Sequence, residues 1–269
     1  MEPMGTVVFD LDGVLYLDTE GIPGAGEALT RLRDGGWHLR WATNNATKSP
    51  QTVVEHIAAR TGFEAAVADA VTSAVSAAHY ASGRHDSVAV VGADELRSVL
   101  DGFGLEVDQP DATAVVVGLD RELTYATIDK AARLIRSGAE FIATNTDSTF
   151  PTPTGLSPGA GTVVAAVREA SGVEPIDCGK PSAHFSNLVE STLTARPVWM
   201  VGDRPNTDIA LARAAGWNAI LTLTGVVNDP AEVPPQWAPD HVVGSIAEVP
   251  DIVLGSMPLP RSQQGIMQA

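Results

Sequence analysis

The feature that most constrains this chain is a regular alternation of short apolar runs with helix-like patterns. Runs such as 6–9 (TVVF), 38–43 (HLRWAT) and 198–201 (VWMV) are each followed by stretches with helical spacing, such as 23–36. Short apolar runs of this length are typical of strands buried on both faces of a sheet. Strands that alternate with helices build βαβ units around a parallel sheet. The sequence therefore predicts an α/β fold.

The same patterns predict further elements. A second alternating series covers residues 87–144, and a loop rich in turn-forming residues covers 144–161. The tripeptide GAG follows a proline twice, at 23–26 and 158–161, but neither copy has the third glycine of a nucleotide-binding G-x-G-x-x-G. Both copies are interpreted as helix starts, and the N–H groups of the second could donate hydrogen bonds to an anion. Other helices are predicted over 49–61, 69–83, 162–172, 179–193 and 206–216.

Composition narrows the function classes. The net charge of −16 argues against binding to the nucleic-acid backbone, which needs clustered basic residues. No apolar run approaches the roughly 18 residues of a membrane span, and the first residues lack the basic region of a signal peptide. The single cysteine, Cys178, is interpreted as a small residue at a strand end and fits a reducing compartment. These observations predict a cytoplasmic protein without nucleic-acid or membrane partners.

A pair of aspartates follows the first apolar run. Asp10 and Asp12 come directly after residues 7–9, with Gly13 behind them. Ionised carboxylates are costly to bury without a partner, and ligands of parallel α/β sheets bind beyond the carboxyl ends of the strands. In an extended chain, two-residue spacing points both side chains to one side. The pair therefore predicts the mouth of a site where a cation offsets the acids.

Other predicted strand and helix ends carry polar groups of a matching kind. Residues 43–45 (Thr-Asn-Asn) end a strand with donors suited to phosphoryl oxygens. Lys180, in the tripeptide GKP, is predicted at a helix start as a point charge of the sort that binds phosphate. Asp203 ends another apolar strand, and Asp208 follows it. Clustered carboxylate oxygens are hard ligands suited to Mg²⁺.

Taken together, the motifs DLDG, TNN, GKP and GDRPNTD resemble those of the haloacid dehalogenase superfamily of aspartate-nucleophile phosphatases. The insertion between the second and third motifs resembles the branch of p-nitrophenyl, pyridoxal, phosphoglycolate and glycerol-3-phosphate phosphatases. The resemblance covers roughly residues 5–258. It departs at Pro205 and Asn206, where many relatives have leucine and an acid, so no metal-binding role is assigned to Asn206.

The resemblance implies a role for each acid. Asp10 would attack phosphorus and form an aspartyl-phosphate, and Asp12 would protonate the leaving alcohol and then activate water. Asp12 would therefore need a pKa well above its ordinary value of about 3.9, and a cap closing over the site is the expected cause. Mg²⁺ would be held by Asp10, by Asp12 through its backbone carbonyl, and by Asp203. Asp208 would orient the waters of the metal or Lys180.

The remaining site residues are implied in the same way. The transferring phosphoryl oxygens would be held by Lys180 and by Thr43, Asn44 and Asn45. Within the loop 144–161, Asn145 and Asp147 are expected to recognise the leaving group. The alternative is that the sequence TNTD merely starts a turn.

The resemblance also implies a doubly wound, Rossmann-like parallel-sheet core with an inserted α/β cap domain. The expected core spans 1–80 and 179–260, the expected cap spans 81–178, and 261–269 is expected to be a flexible tail. A large lid would admit small phosphorylated metabolites and exclude most phosphoproteins. Relatives often pair through their caps, which makes a homodimer the expected assembly.

The predicted function is Mg²⁺-dependent hydrolysis of small phosphomonoesters, with glycerol 3-phosphate or p-nitrophenyl phosphate as candidate substrates. Glycerol 3-phosphate is favoured only through the resemblance of the cap loop. Two alternatives share the fold: a catalytically silent binding module and a phosphomutase. A phosphorylated signalling receiver is disfavoured, because receivers lack both a cap and an acid two residues after the acceptor.

Overall fold

Two parallel sheets organise the chain in a computed structural model, which describes residues 3–152 and 155–256. The strands of the described residues are β1 (Gly5–Phe9), β2 (Tyr16–Leu17), β3 (Glu20–Gly21), β4 (Trp37–Thr43), β5 (Ala70–Thr72), β6 (Ser87–Val91), β7 (Glu106–Val107), β8 (Ala114–Val117), β9 (Glu140–Ala143), β10 (Thr149–Thr152), β11 (Gly155–Pro158), β12 (Ile176–Asp177), β13 (Val198–Gly202), β14 (Asn218–Thr222) and β15 (His241–Val243). The α-helices are α1 (Ala25–Asp34), α2 (Pro50–Thr61), α3 (Ser73–Ser82), α4 (Asp94–Gly102), α5 (Tyr125–Arg136), α6 (Ala160–Ser171), α7 (Ala183–Thr192), α8 (Ala210–Ala215) and α9 (Val249–Gly255). Among the helices within these two ranges, none is both long and apolar enough for a membrane crossing. The predicted tail, 261–269, lies outside the described residues.

The first sheet has six parallel strands in the order β15-β14-β13-β1-β4-β5. From β1 the chain builds one side of the sheet through β4 and β5, and it later returns to build the other side from β13. The strand order therefore reverses beside β1, which confirms the predicted doubly wound α/β fold. In such sheets the crevice at the reversal is where ligands bind.

Strand β1 is the most deeply buried part of this sheet, because both of its faces are covered. Val7 and Phe9 face the cluster that holds helices α1, α2 and α9, and the Phe9 ring stacks on Trp41 at 5.8 Å. Val8 faces the opposite cluster, beside Met200. Each such side chain contributes about 1.5–3 kcal/mol through burial. The residues that follow β1 therefore start from a rigid support.

The second sheet has five parallel strands in the order β12-β9-β8-β6-β7. All of them lie between β5 and β13 in the chain. An antiparallel hairpin of β10 and β11 follows β9, inside the stretch 144–161 that was predicted as a loop. The boundaries of core and cap proposed from the sequence stay a prediction.

The predicted helix over 69–83 is wrong at its beginning. Residues 70–72 form β5, which extends the six-stranded sheet by pairing Ala70 with Trp41 and Thr72 with Thr43. The β-branched Val71 and Thr72 favour this pairing, and the Thr72 hydroxyl then caps α3 by accepting the Val75 N–H. Short apolar segments are ambiguous between strand and helix, and the open sheet edge decides this one.

Two other local predictions were tested by the structure. Both copies of GAG are helix starts as predicted, since α1 begins at Ala25 and α6 at Ala160. In the second copy the N–H groups of Gly159 and Gly161 donate to backbone carbonyls of residues 147–148, so they hold the loop rather than an anion.

Lys180 does not start a helix: α7 begins at Ala183, capped by the Ser182 hydroxyl, and Lys180 lies in the loop before it.

Candidate active site

Polar loops converge on one cavity of about 530 Å³ at the carboxyl edge of the six-stranded sheet. The predicted site residues that line it are Asp10, Asp12, Thr43, Asn44, Asn45, Asn145, Asp147, Lys180 and Asp203. Asp208 is fully buried and contacts Lys180 instead. Side chains that are up to 193 residues apart in the chain therefore meet at one site.

Lys180 holds two acids of the cavity in place. Its ammonium donates to Oδ1 of Asp10 and to Oδ1 of Asp208, each at 2.7 Å, and to the Ala42 carbonyl at 2.9 Å. These bonds use all three donors of a lysine. Burial alone would lower the pKa of Lys180, but the two carboxylates outweigh it and raise the pKa above its ordinary value. The ammonium therefore stays charged and fixes the carboxylate of Asp10.

Three carboxylates form a cluster suited to a metal ion. Asp10, Asp203 and Asp208 each offer one oxygen, and these oxygens lie within 4.8 Å of one another. Asp203 is only 2% exposed. It has no cation within ion-pair distance among residues 3–152 and 155–256, and accepts only the Val226 N–H at 2.7 Å. Burial and the neighbouring acids raise the pKa of Asp203 well above its usual range.

This donor set fits the predicted cofactor. One lysine faces three buried carboxylates, so a further cation is needed to keep all three ionised. Carboxylate oxygens are the ligands that Mg²⁺ prefers. Asp208 belongs to this cluster by distance, although both of its oxygens already accept hydrogen bonds, from Lys180 and from the Arg204 N–H. Asp208 thus contacts Lys180, and its predicted role in orienting that lysine or the waters of the metal stays a prediction.

Glycines make the close approach to Asp203 feasible. Gly13 has a φ of +86°, and a Cβ at this position would lie 2.6 Å from Oδ2 of Asp203. A Cβ at Gly225 would lie still closer to the same oxygen. The Thr224 hydroxyl donates to the Gly13 carbonyl at 2.5 Å and so joins the two loops. The segment 224–229 was not assigned a role from the sequence, yet it shapes the Asp203 pocket.

Asp12 has the environment that an acid catalyst needs. Burial raises the pKa of Asp12 above its ordinary value, and the positive charges of Lys48, Lys180 and Arg60 only partly oppose this effect. A carboxyl in this setting keeps its proton at higher pH than a free aspartic acid. This upward shift of the Asp12 pKa has the direction that the sequence analysis expects.

Residues 43–45 differ in which of their donors are free. The Thr43 hydroxyl accepts the Asn45 N–H at 3.1 Å. Its own hydrogen, and the amide hydrogens of Asn45, have no acceptor in the described part of the chain. Asn44 is engaged differently: its Nδ2 donates to Asp147 at 3.0 Å and to the Lys180 carbonyl at 3.2 Å, and its Oδ1 accepts the Lys180 N–H at 2.7 Å. Thr43 and Asn45 thus offer donors to a phosphoryl group, whereas the Asn44 amide is already occupied.

The loop after β9 reaches the cavity through its first residues. Asn145 is buried, and its Nδ2 donates to the Asn44 carbonyl at 2.7 Å. Its Oδ1 accepts the Asp147 N–H at 3.1 Å, which is the side-chain turn that the alternative interpretation predicted. Asp147 also lies 3.5 Å from the Arg204 guanidinium. These residues therefore form a turn and also line the cavity.

Several cavity residues were missed from the sequence. Arg204 lies inside the motif GDRPNTD, and Lys48 lies three residues after TNN. Their closeness to these motifs could have indicated that both line the site. His56 and Arg60 have the i, i+4 spacing of one face of α2. Arg121, whose guanidinium lies over the Phe150 ring at 5.5 Å, had no local signal. All of these line the cavity.

The chain is similar to known proteins in both sequence and structure. Residues 7–106 match the family model described as haloacid dehalogenase-like hydrolase, and residues 177–249 match a second model for such hydrolases. A D-glycerol 3-phosphate phosphatase of Mycobacterium tuberculosis is 37% identical over 82% of this chain, which spans 63% of the length of that relative. The 5′-nucleotidase YutF of Bacillus subtilis is 33% identical over 90% of this chain and 95% of its own length.

A solved structure matches most of this chain. The glycerol phosphate phosphatase of Mycobacterium tuberculosis in complex with magnesium superposes with a TM-score of 0.82 at 34% identity, covering 95% of this chain and 80% of that one. That protein binds the ion which the carboxylate cluster of this chain fits.

Proposed function

The chain belongs to the haloacid dehalogenase-like hydrolases, and on that premise we propose that it is a Mg²⁺-dependent phosphatase of small phosphomonoesters. One observation carries the proposal. The Asp10 carboxylate is fixed by Lys180 beside Asp203 and Asp208, and Asp12, with its raised pKa, follows two residues later. A nucleophile, an acid and a cation site therefore meet at the edge of one sheet.

In the first step an oxygen of the Asp10 carboxylate attacks phosphorus. The bond from phosphorus to the leaving oxygen breaks, and Asp12 gives its proton to that oxygen. The products are a neutral alcohol and a phosphoryl group bound to Asp10. Lys180 donates to Oδ1 of Asp10 and so holds the carboxylate in place for the attack.

In the second step Asp12, now ionised, takes a proton from water, and the water oxygen attacks phosphorus. The bond between phosphorus and Asp10 breaks, inorganic phosphate leaves, and both acids return to their starting states. Asp12 thus acts as acid and then as base. Its place beside cationic side chains and inside a buried pocket suits both steps.

The phosphoryl oxygens need positive partners in both steps. Uncatalysed phosphomonoester hydrolysis is among the slowest reactions, and enzymes accelerate such reactions by up to about 10²¹-fold. Most of this effect is positioning and charge stabilisation. Thr43 and Asn45 supply free donors from this chain, and Lys180, whose three donors are already in use, contributes its positive charge nearby. Mg²⁺, held by Asp10, Asp203 and the backbone carbonyl of Asp12, would offset the charge of the phosphoryl group when bound.

The relatives also suggest a substrate class for this chain. The relatives named above act on glycerol 3-phosphate and on nucleotides, so the shared chemistry is a phosphomonoester of a small alcohol. Glycerol 3-phosphate and p-nitrophenyl phosphate are the first candidates. Asn44 positions Lys180 and the Asp147 loop rather than binding phosphate itself. The insertion 81–178 would act as the cap over this cavity.

The experiment is phosphate release from a panel of small phosphomonoesters, with Mg²⁺ and with a chelator. Release that depends on Mg²⁺ is the expected result. Folded protein that releases no phosphate from any substrate would overturn the proposal and favour a binding module of the same fold. An isomerised phosphate ester in place of free phosphate would identify a phosphomutase.

A further inference from the structure

We propose that the cavity contains a second anion-binding subsite, formed by Lys48, His56 and Arg60, which favours phosphomonoesters whose leaving group carries another negative charge. This inference rests on the proposed phosphatase function and adds a substrate class to it. The charged group would be a carboxylate or a second phosphate, since lysine and arginine bind both.

Lys48 makes no close ion pair in the described part of the chain, although the carboxylates of Asp12 and Asp18 act on its charge from a longer distance. Its side chain is partly buried and lines the cavity. Within the described ranges its ammonium makes no hydrogen bond and no ion pair, and its recorded contact is the Tyr16 ring, 6.0 Å away. Withdrawing an ammonium from water is costly unless it is paired. A ligand anion at Lys48 would remove this cost.

His56 and Arg60 add donors to the same region. The Arg60 guanidinium lies 5.1 Å from the centre of the Tyr16 ring, and its Nε donates to the Asp18 carbonyl at 2.7 Å. Its Nη2 has no acceptor in the part of the chain that is described. Nδ1 of His56 is buried and also lacks a hydrogen-bond partner there. Nη2 of Arg60 is therefore open to an acceptor on a ligand, whereas Nδ1 of His56 is buried, and His56 contributes to the subsite by lining the cavity.

The charges around the cavity differ in how they are paired. Lys180 is neutralised by acids of the metal cluster, and Arg204 lies beside Asp147. Within the described ranges Lys48 and Arg60 have no carboxylate at ion-pair distance, and the charges of Asp12 and Asp18 act on Lys48 from farther away, in a chain whose net charge is −16. An anionic substrate is therefore attracted by these local cations rather than by the protein as a whole.

The position relative to Asp12 places the subsite on the side of the leaving group. Lys48 and Arg60 lie close enough to Asp12 for their charges to act on its carboxyl. In the proposed mechanism Asp12 protonates the leaving oxygen, so groups near Asp12 face the leaving alcohol. The alternative is that Lys48 serves only to offset Asp12, in which case its loss would affect all substrates equally.

The test compares substrates that differ in one charged group. For a carboxylate the pair is 3-phosphoglycerate and glycerol 3-phosphate, and for a phosphate it is fructose 1,6-bisphosphate and fructose 6-phosphate. Lys48→Met should lower the ratio of kcat/KM within the favoured pair by about tenfold or more, because a charge-assisted hydrogen bond is lost. Lys48→Arg should restore most of the ratio. Lys130→Met, which removes an exposed lysine outside the cavity, should leave the ratio unchanged.

The two pairs identify which anion the subsite binds, since a ratio that changes in only one pair assigns that group. A ratio unaffected by Lys48→Met in both pairs would overturn the inference, even if every substrate were turned over more slowly. Calorimetric binding of the same pairs to Asp10→Asn protein tests the subsite without turnover. The subsite is supported if Asp10→Asn protein binds the more charged member of a pair more tightly and the added Lys48→Met change removes this preference. This result would hold even if the wild type released no phosphate. Equal affinity for both members of each pair would contradict the subsite.

Discussion

The Asn44 amide nitrogen lies 3.0 Å from the Asp147 carboxylate, which comes 103 residues later in the chain. The same side chain accepts the backbone N–H of Lys180, and Lys180 binds Asp10. One asparagine therefore connects the loop after β9 to the group that orients the proposed nucleophile. The loop and the backbone of Lys180 therefore share one side chain as their hydrogen-bond partner.

We expect Asp147→Ala to change the ranking among substrates more than it lowers turnover of p-nitrophenyl phosphate. The variant removes the contacts of the Asp147 carboxylate with Asn44 and Arg204, while Asn145 still donates to the Asn44 carbonyl and Lys180 still binds Asp10. The measurement is kcat/KM across the substrate panel, with Asp94→Ala as a control, since the Asp94 side chain is 98% exposed. Equal losses on all substrates, p-nitrophenyl phosphate included, would contradict the prediction.

Lys180→Met should destabilise the protein and abolish activity. It leaves the fully buried Asp208 and its neighbour Asp10 without their cation, and breaking a buried pair in this way costs about 3–5 kcal/mol. Urea unfolding in the presence of a chelator measures the change in the free energy of unfolding.

The double variant Lys180→Met/Asp208→Asn is the matched control for this loss. Because it removes one of the stranded charges, it should recover part of the stability but none of the activity. A single variant as stable as the wild type would show that the contacts of Lys180 do not hold the acids together.

Asp203→Asn should stabilise the metal-free protein and remove its stabilisation by Mg²⁺. Asp203 is buried without a cation at ion-pair distance in the described part of the chain, so a neutral amide lowers the cost of burial. The side-chain oxygen of the asparagine can still accept the Val226 N–H that Asp203 accepts through Oδ2. For the wild type, Mg²⁺ at ten times its dissociation constant should add about 1.4 kcal/mol to the free energy of unfolding. Thermal unfolding with and without Mg²⁺ measures both effects. An equal response of variant and wild type to Mg²⁺ would place the metal elsewhere.

The thiol of Cys178 should react very slowly in the native protein. Cys178 is fully buried directly after β12, as the sequence predicted for a small residue at a strand end. Burial raises the pKa of Cys178 to about 12, so at pH 8 only about 10⁻⁴ of the thiol is the reactive thiolate. The rate should rise with pH and reach the free-thiol value only after unfolding. Labelling with a disulfide reagent in native buffer and in urea tests this, and equal rates in both would contradict it.

The sequence predicted the frame of the site because each acid or lysine belongs to a short motif at the end of an element. Asp10 and Asp203 each directly follow a buried apolar strand, which is recognisable from the neighbouring residues alone. The hydrophobic pattern was less informative at 70–72, 149–152 and 155–158. There the strand state depends on pairing with β4 or on a hairpin partner, and neither contact is local in sequence.

The part of the site that the sequence did not reveal consists of contacts between distant segments. Nothing near Asn44 shows that its amide is occupied by Asp147 and Lys180, so a phosphate contact was the natural prediction. A role for Lys48 could be proposed only when the structure placed it in the cavity without a carboxylate at ion-pair distance among the described residues. Such pairing, or its absence, depends on tertiary packing that no local motif encodes.

The central claim is that Asp10 is the nucleophile of a Mg²⁺-dependent phosphatase. The most direct test is phosphate release from p-nitrophenyl phosphate by wild type, Asp10→Asn and Asp94→Asn, prepared in parallel and measured with Mg²⁺ and with a chelator. The account predicts release by wild type and Asp94→Asn only when Mg²⁺ is present, and none by Asp10→Asn in either condition. Release by Asp10→Asn at the wild-type rate would contradict the account.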